Sequence, residues 1–369
     1  MIFVALASRR RGFEAIHVER TAGEMPAPQW QSVNKRVRFG EAGLKGRISH
    51  KKGRNDMSIL KEILRARSAF LLAGAAAMLI PASSSAQLKQ PLLSEDNLKR
   101  VSDHVSVIEG FPNVVIVVGS RATLVVDTGL GEKNGATVMR VEQKLAKGPI
   151  LYLTTTHYHS EHTTGESAFP PSTIIIRNIA QQDEMNKGVG AHIEAFKKMS
   201  AQNMDLLQTV KFRPPDVLFD REAKIDLGGV TARLFWLGPA HTKGDMLTYI
   251  EEDSVLIPGD IVQKDIFPIM PNADASVKGW LSILDNIESM HPKFIVPDHG
   301  AAIVDASQIG TERAYLLALQ ARALELKKQG ASADDAGKTI TAELKAKYPD
   351  WPNPNNVAGE VQRVYEQSQ

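Results

Sequence analysis

Residues 154–166 read TTTHYHSEHTTGE and place His157, His159, Glu161 and His162 within six positions. A lone histidine is usually a satisfied structural residue, but three with a carboxylate at the end of an apolar run are more than packing requires. Residues two apart on an extended turn can face one cation, and neutral imidazole nitrogen with carboxylate oxygen is the donor set that borderline-soft zinc prefers. Three later stretches behave the same way: GPAHTKGD supplies His241, LIPGD supplies Asp260 and VPDHG supplies His299. Bound metal would make a coordinated water acidic enough to hydrolyse a substrate near neutral pH. No serine nucleophile is needed for that chemistry, and the Gly-x-Ser-x-Gly elbow of α/β-hydrolases is absent.

The elements that must carry these residues read as alternating strands and helices. The stretches 105–110, 113–119 and 122–129 are β-branched runs broken by glycine and by Phe111-Pro112, the pattern of consecutive hairpin strands. Helical spacing over 135–147 precedes a strand, PILYLTTTH, whose C-terminal end opens into the histidine cluster as a loop. A second round follows: a strand at 172–177, helix over 178–209, strands at 228–237, 245–252 and 254–260, helix at 276–290, and strand then loop at 293–300. From about Gln308 the chain is helical, with a break at YPDWPNPN. No short-period repeat is present.

Composition narrows the classes. With 43% hydrophobic and 23% charged residues in 369, most of the chain can build a core. The net charge of +2 hides a split. Residues 1–56 carry 12 Lys+Arg against 5 Asp+Glu, and residues 87–369 carry 29 against 36. Cysteine is absent, which excludes disulfides, thiolate ligands and a cysteine nucleophile. Residues 57–86 follow the three-part pattern of a secretory signal peptide: Lys61, Arg65 and Arg67, an apolar run over 68–82, then small residues ending at Ala86. The run falls short of the ~20 residues of a membrane span, and Pro81 interrupts it. The expectation is therefore cleavage after Ala86, a periplasmic or secreted product without a membrane anchor, and Met57 as the working start. Residues 1–56 are then a disordered upstream extension; the rival, a basic nucleic-acid-binding arm, lacks a companion motif. The acidic remainder excludes a nucleic-acid partner.

The ordered set His-x-His-x-acid-His, then isolated His, Asp and His, resembles the metallo-β-lactamase superfamily of binuclear metallohydrolases over roughly residues 100–305. The resemblance implies an α/β fold, a four-layer αββα sandwich, occupying 87–305, with residues 306–369 a C-terminal helical extension. It implies two zinc ions, one held by His157, His159 and His241 and the other by Glu161, His162 and His299, with Asp260 bridging. The same ligands accept manganese or iron. VVDTG matches the family's first motif and puts Asp127 behind the ligands, orienting an imidazole or ligand loop, or else merely ending a strand. The chain departs from the family at Glu161, where aspartate is usual. The longer carboxylate is either a ligand of the second ion or free as a general base.

Asp260 resembles the bridging residue of the lactonase, glyoxalase II, sulfatase and phosphodiesterase branches, whereas dedicated β-lactamases of this fold usually carry cysteine or serine there. Apolar segments with a proline, GFPN with Phe111 and DIFPIMPN with Phe267 and Met270, are expected either to line a substrate groove or to pack as ordinary loops. So is the helical insertion with Met185, Met199 and Met204. As groove walls they favour an uncharged or partly apolar small molecule over a phosphodiester, for which only Lys243 and Lys264 stand near the motifs. The expected activity is opening of an activated carbonyl in a lactone, β-lactam or thioester, with Glu161 and Asp260 at the reacting centre. The alternative is a non-catalytic periplasmic metal-binding accessory of a redox system.

Overall fold

The computed structural model describes residues 92–270, 273 and 275–368. Residues 1–56, expected to be an upstream extension, and residues 57–86, expected to be a leader, lie outside the described residues. Among the described residues, no helix is long and apolar enough to cross a membrane.

Two mixed sheets stack face to face. The first has seven strands in chain order: β1 (Leu98–Arg100), β2 (Val105–Ile108), β3 (Val114–Val118), β4 (Ala122–Val126), β5 (Ile150–Thr154), β6 (Ile174–Asn178) and β7 (Val217–Phe219). Pairing is antiparallel through β4 and parallel from β4 to β7. The second sheet runs β12 (Phe294–Ile295), β11 (Val255–Ile257), β10 (Leu247–Ile250), β9 (Thr231–Phe235), β8 (Glu222–Asp226), with only the β11–β12 pair parallel. The central strands β3 and β4 are buried along their whole length, because each sheet face meets another layer.

Side-chain alternation sorts the cores. Val115, Val117, Leu124 and Val126 point between the sheets onto Leu234, Ile250, Val255 and Ile257. Their neighbours Ile116 and Val125, with Leu153, point outward onto Val138 and Met139 of α1 (Gly131–Leu145). On the far side, Leu247, Leu256 and Ile295 meet α5 (Val277–Glu288), α6 (Ser307–Lys328), α7 (Ala333–Lys347) and α8 (Asn356–Gln367). This is the expected αββα sandwich with C-terminal helices.

Departures from the sequence reading have local causes. A four-residue helical turn, α2 (Ser160–Thr163), takes up the second half of the histidine cluster, where a loop was expected. The Thr163 hydroxyl closes it on the His159 carbonyl at 2.9 Å. The helix expected over 178–209 divides into α3 (Ile179–Met199) and α4 (Ala201–Leu206), because Ser200 turns extended and caps the Asn203 N–H. Strands β1, β7 and β8 were not anticipated; they are short, and β8 alternates charged with apolar residues at the sheet edge.

Candidate metal centre

Register brings the first pieces together. Val126 pairs with Thr154, so β4 and β5 end side by side, and the Asp127 N–H donates to the Thr154 carbonyl at 2.9 Å. Asp127 then turns through a left-handed backbone (φ 68°), which Asp tolerates better than most side chains, and its Oδ1 accepts the Thr156 N–H at 2.8 Å. The chain leaves β5 into His157 and His159, and α2 carries Glu161 and His162. The loop before β10 supplies His241, the 3-10 turn after β11 supplies Asp260, and the loop after β12 supplies His299. Gly259, at φ 64°, makes the close turn: a Cβ there would meet the Thr156 Cβ at 3.0 Å.

All seven of these side chains are buried and converge on one place. His157, His159 and His241 form one group of donor atoms, and Glu161, His162 and His299 a second, the atoms in each lying within 4.8 Å of one another. His241 Nε2 is 3.2 Å from His159 Nδ1. Asp260 stands between the groups with one oxygen toward each: Oδ2 is 3.3 Å from His241 Nε2, and Oδ1 is 3.3 Å from His299 Nε2.

Partners behind the ring nitrogens decide where the lone pairs point. His162 Nδ1 lies 3.0 Å from Asp127 Oδ2, His241 Nδ1 donates to the Ile269 carbonyl at 2.6 Å, and His157 Nδ1 lies 3.2 Å from the Thr156 hydroxyl. The inward atoms are left over. His157 Nε2, His162 Nε2, Glu161 Oε2 and Asp260 Oδ1 are buried without a hydrogen-bond partner. Buried polar atoms without partners are costly, and these cluster at the centre of one nitrogen and oxygen donor set. The residues therefore fit a bound cation.

Electrostatics agree with that reading at the first group; at the second, burial would lower His162, but the carboxylates of Asp127 and Asp298 behind it raise it well above the ordinary histidine range. Burial, together with neighbouring imidazoles, pushes His157 and His159 well below the ordinary histidine range, so both are neutral and able to ligate. Burial lifts the Glu161 carboxyl to about 7. Burial would raise Asp260 too, but His299, His241 and His162 hold it below the usual carboxylate value.

Several contributors escaped the sequence reading. Asp298 lies beside the Thr156 hydroxyl at 2.8 Å and offers a further donor grouping with His157 and His162; its adjacency to His299 in VPDHG was the available signal. Asp245 accepts the N–H groups of Ala240 and Thr242, holding the turn that presents His241. From α3, His192 stacks flat on His159 with ring centres 4.1 Å apart, and its Nδ1 accepts the Ser160 N–H at 3.1 Å. Nothing in the helical pattern marks His192.

The groove residues divide. Phe111 lies against His299, with ring centroids 4.2 Å apart, at the edge of the centre. Phe267 and Met270 are corrected: both are buried in the core under the C-terminal helices, Phe267 against Tyr315, Tyr348 and Trp351, because this apolar box satisfies them better than an open groove. Met185 is buried, while Met199 and Met204 are exposed on the outer side of the helical insertion.

Comparison with known proteins places this geometry. The stereoselective inverting sec-alkylsulfatase Pisa1 from Pseudomonas sp. superposes with a TM-score of 0.57 at 16% identity, over 73% of this chain and 50% of its own. A double mutant of the same sulfatase gives a TM-score of 0.58 at 14% identity, over 74% and 50%. This chain thus spans about half the length of those enzymes. A metallo-β-lactamase from Pontibacter korlensis is 19% identical, with a TM-score of 0.46, over 60% of this chain and 98% of its own. The family model described as the metallo-beta-lactamase superfamily matches residues 107–299, from within β2 to the last histidine of the centre. Since that match takes in just over half of the chain and ends on a residue of the cluster itself, this protein belongs to the metallo-β-lactamase superfamily.

Proposed function

We propose that this protein is an exported, zinc-dependent hydrolase that opens an activated carbonyl in a small molecule, a lactone or β-lactam before a thioester. The observation that carries the reading is Asp260, which offers one oxygen to each of two histidine groups. His157, His159 and His241 would hold one ion, and Glu161, His162 and His299 the other. When bound, the pair supplies an activated water near neutral pH and polarises a substrate oxygen.

The chain's own residues set the rest. Asp127 and the Ile269 carbonyl fix the rings of His162 and His241, so both present Nε2 to the centre. Phe111 gives the His299 side an apolar edge, which favours an uncharged substrate and keeps water away from that face. Because His192 Nδ1 accepts from Ser160, its ring proton sits on Nε2, and its flat stack on His159 braces that ligand ring.

The test is a panel of lactone, cephalosporin, thioester, phosphodiester and sec-alkyl sulfate given to zinc-loaded protein, with and without chelator. Chelator-sensitive turnover of lactone or cephalosporin above the other classes supports the proposal. Preference for the sulfate would move the substrate class to that of the sulfatase sharing this fold. No turnover of any class would favour the non-catalytic accessory reading. Export is checked by mass spectrometry of protein recovered from an exporting host, where a mature N-terminus near Gln87 is expected.

A further inference from the structure

Besides covering the second sheet, the C-terminal helices contact the segment 259–270. At the start of α6, Gln308 donates from Nε2 to the Gln263 carbonyl at 2.7 Å. At the start of α8, Asn356 donates from Nδ2 to the Phe267 carbonyl at 3.1 Å. The Phe267 ring fills a box made by Tyr315 of α6, Tyr348 at the end of α7 and Trp351 of the α7–α8 connection, with centroids at 6.1, 6.3 and 5.3 Å. Tyr348 and Trp351 are themselves stacked at 4.3 Å.

Both ends of that segment serve the metal centre. Asp260 precedes Gln263 by three residues. Ile269 follows Phe267 by two, and its carbonyl is the acceptor for His241 Nδ1. That hydrogen bond holds the proton on Nδ1 and the lone pair on Nε2, so a displaced carbonyl frees both ring angle and tautomer.

We infer that α6, α7 and α8 act as a clamp on the segment 259–270, and that Phe267, Asn356 and Gln308 are positioning residues which set Asp260 and His241 for the metal. The consequence for metal rests on the function proposed above; the clamp itself does not. Helices that look like a stabilising extension thereby become part of what makes the donor set precise. Loss of a supporting partner of this kind typically weakens a metal site by ~10–100-fold.

Phe267→Ala removes a core side chain and can fail to fold, so the test uses Trp351→Ala and Asn356→Ala in the full chain. Lys133→Ala serves as a control, since Lys133 pairs with Asp205 at the surface between α1 and α4, outside the clamp helices and the segment. In metal-free protein, amide hydrogen exchange over 259–270 should quicken by ~10-fold or more in the two clamp variants and stay unchanged in the control. Competition with a chromogenic chelator should show one zinc bound ~10–100-fold more weakly in the same two variants. Exchange equal to wild type overturns the clamp. Faster exchange with wild-type zinc affinity overturns its link to His241. A wild-type chain that binds no zinc overturns the metal reading, and the exchange arm then decides the clamp alone.

Discussion

His162 Nδ1 and Asp127 Oδ2 lie 3.0 Å apart, and both side chains are fully buried. The contact follows from strand register, since β4 and β5 end together and bring the residue after one strand beside the cluster after the other. It fixes the imidazole with Nε2 toward Glu161 and His299, and it places a carboxylate directly behind a ring that must donate its other nitrogen.

Asp127→Asn keeps the left-handed backbone and one acceptor but removes the charge. The second zinc should bind ~10-fold or more weakly, with the first little changed. Calorimetric titration with zinc measures both, and two unaltered affinities would leave Asp127 a turn residue only.

Glu161 separates ligand from base. As a ligand, Glu161→Gln weakens the second site by losing a charge that offsets the dication, and Glu161→Asp keeps two ions. As a general base, both variants bind two ions and lose turnover by ~100-fold. Metal titration and steady-state rates on the same two proteins tell the readings apart, and wild-type affinity for two zinc ions in the Gln variant sinks the ligand assignment.

Arg177 and Glu166 form a fully buried ion pair that ties the end of the cluster loop to β6. Arg177→Met strands a buried carboxylate and should cost about 3–5 kcal/mol in urea unfolding of the metal-free chain. Adding Glu166→Gln should recover part of that loss, while a double variant as unstable as the single one would point to lost packing instead.

Glu360 is buried against the Tyr315 hydroxyl, 2.7 Å away, and burial lifts its carboxyl to about 8; burial also raises Glu312. A carboxyl raised on folding holds its proton in the native state where the unfolded chain has released it. Its stability is fully present below the unfolded value of ~4.3 and is lost as pH rises through about 8. Thermal scans from pH 5 to 9 should therefore show a decline that Glu360→Gln flattens. A decline of equal slope in the variant would assign it to other groups.

How much of this the sequence disclosed depends on the kind of signal. The strands 105–108, 114–118 and 255–257 are β-branched and buried on both faces, so composition alone marks them. Period-two β8 pairs at an edge with charged residues outward, and its weak apolar content hid it. His157, His159, Glu161 and His162 were legible because four donors in six residues have no packing purpose. His192 was not, since its role comes from a stack onto His159 across 33 positions of chain that no local spacing encodes. Phe267 misled for the opposite reason: an apolar residue near a ligand fits a groove or a core equally well until the helices that enclose it are placed.

Two groups of donors share Asp260, an arrangement built for two ions. Equilibrium dialysis followed by elemental analysis, on the wild type and on His241→Ala, tests it most directly. Two zinc ions per wild-type chain are expected, one per His241→Ala chain, with loss of hydrolysis in the variant and an unchanged circular dichroism spectrum, since the apolar layers do not depend on that ring. A wild-type chain that binds fewer than two, or a variant that still binds two with wild-type affinity, would contradict it.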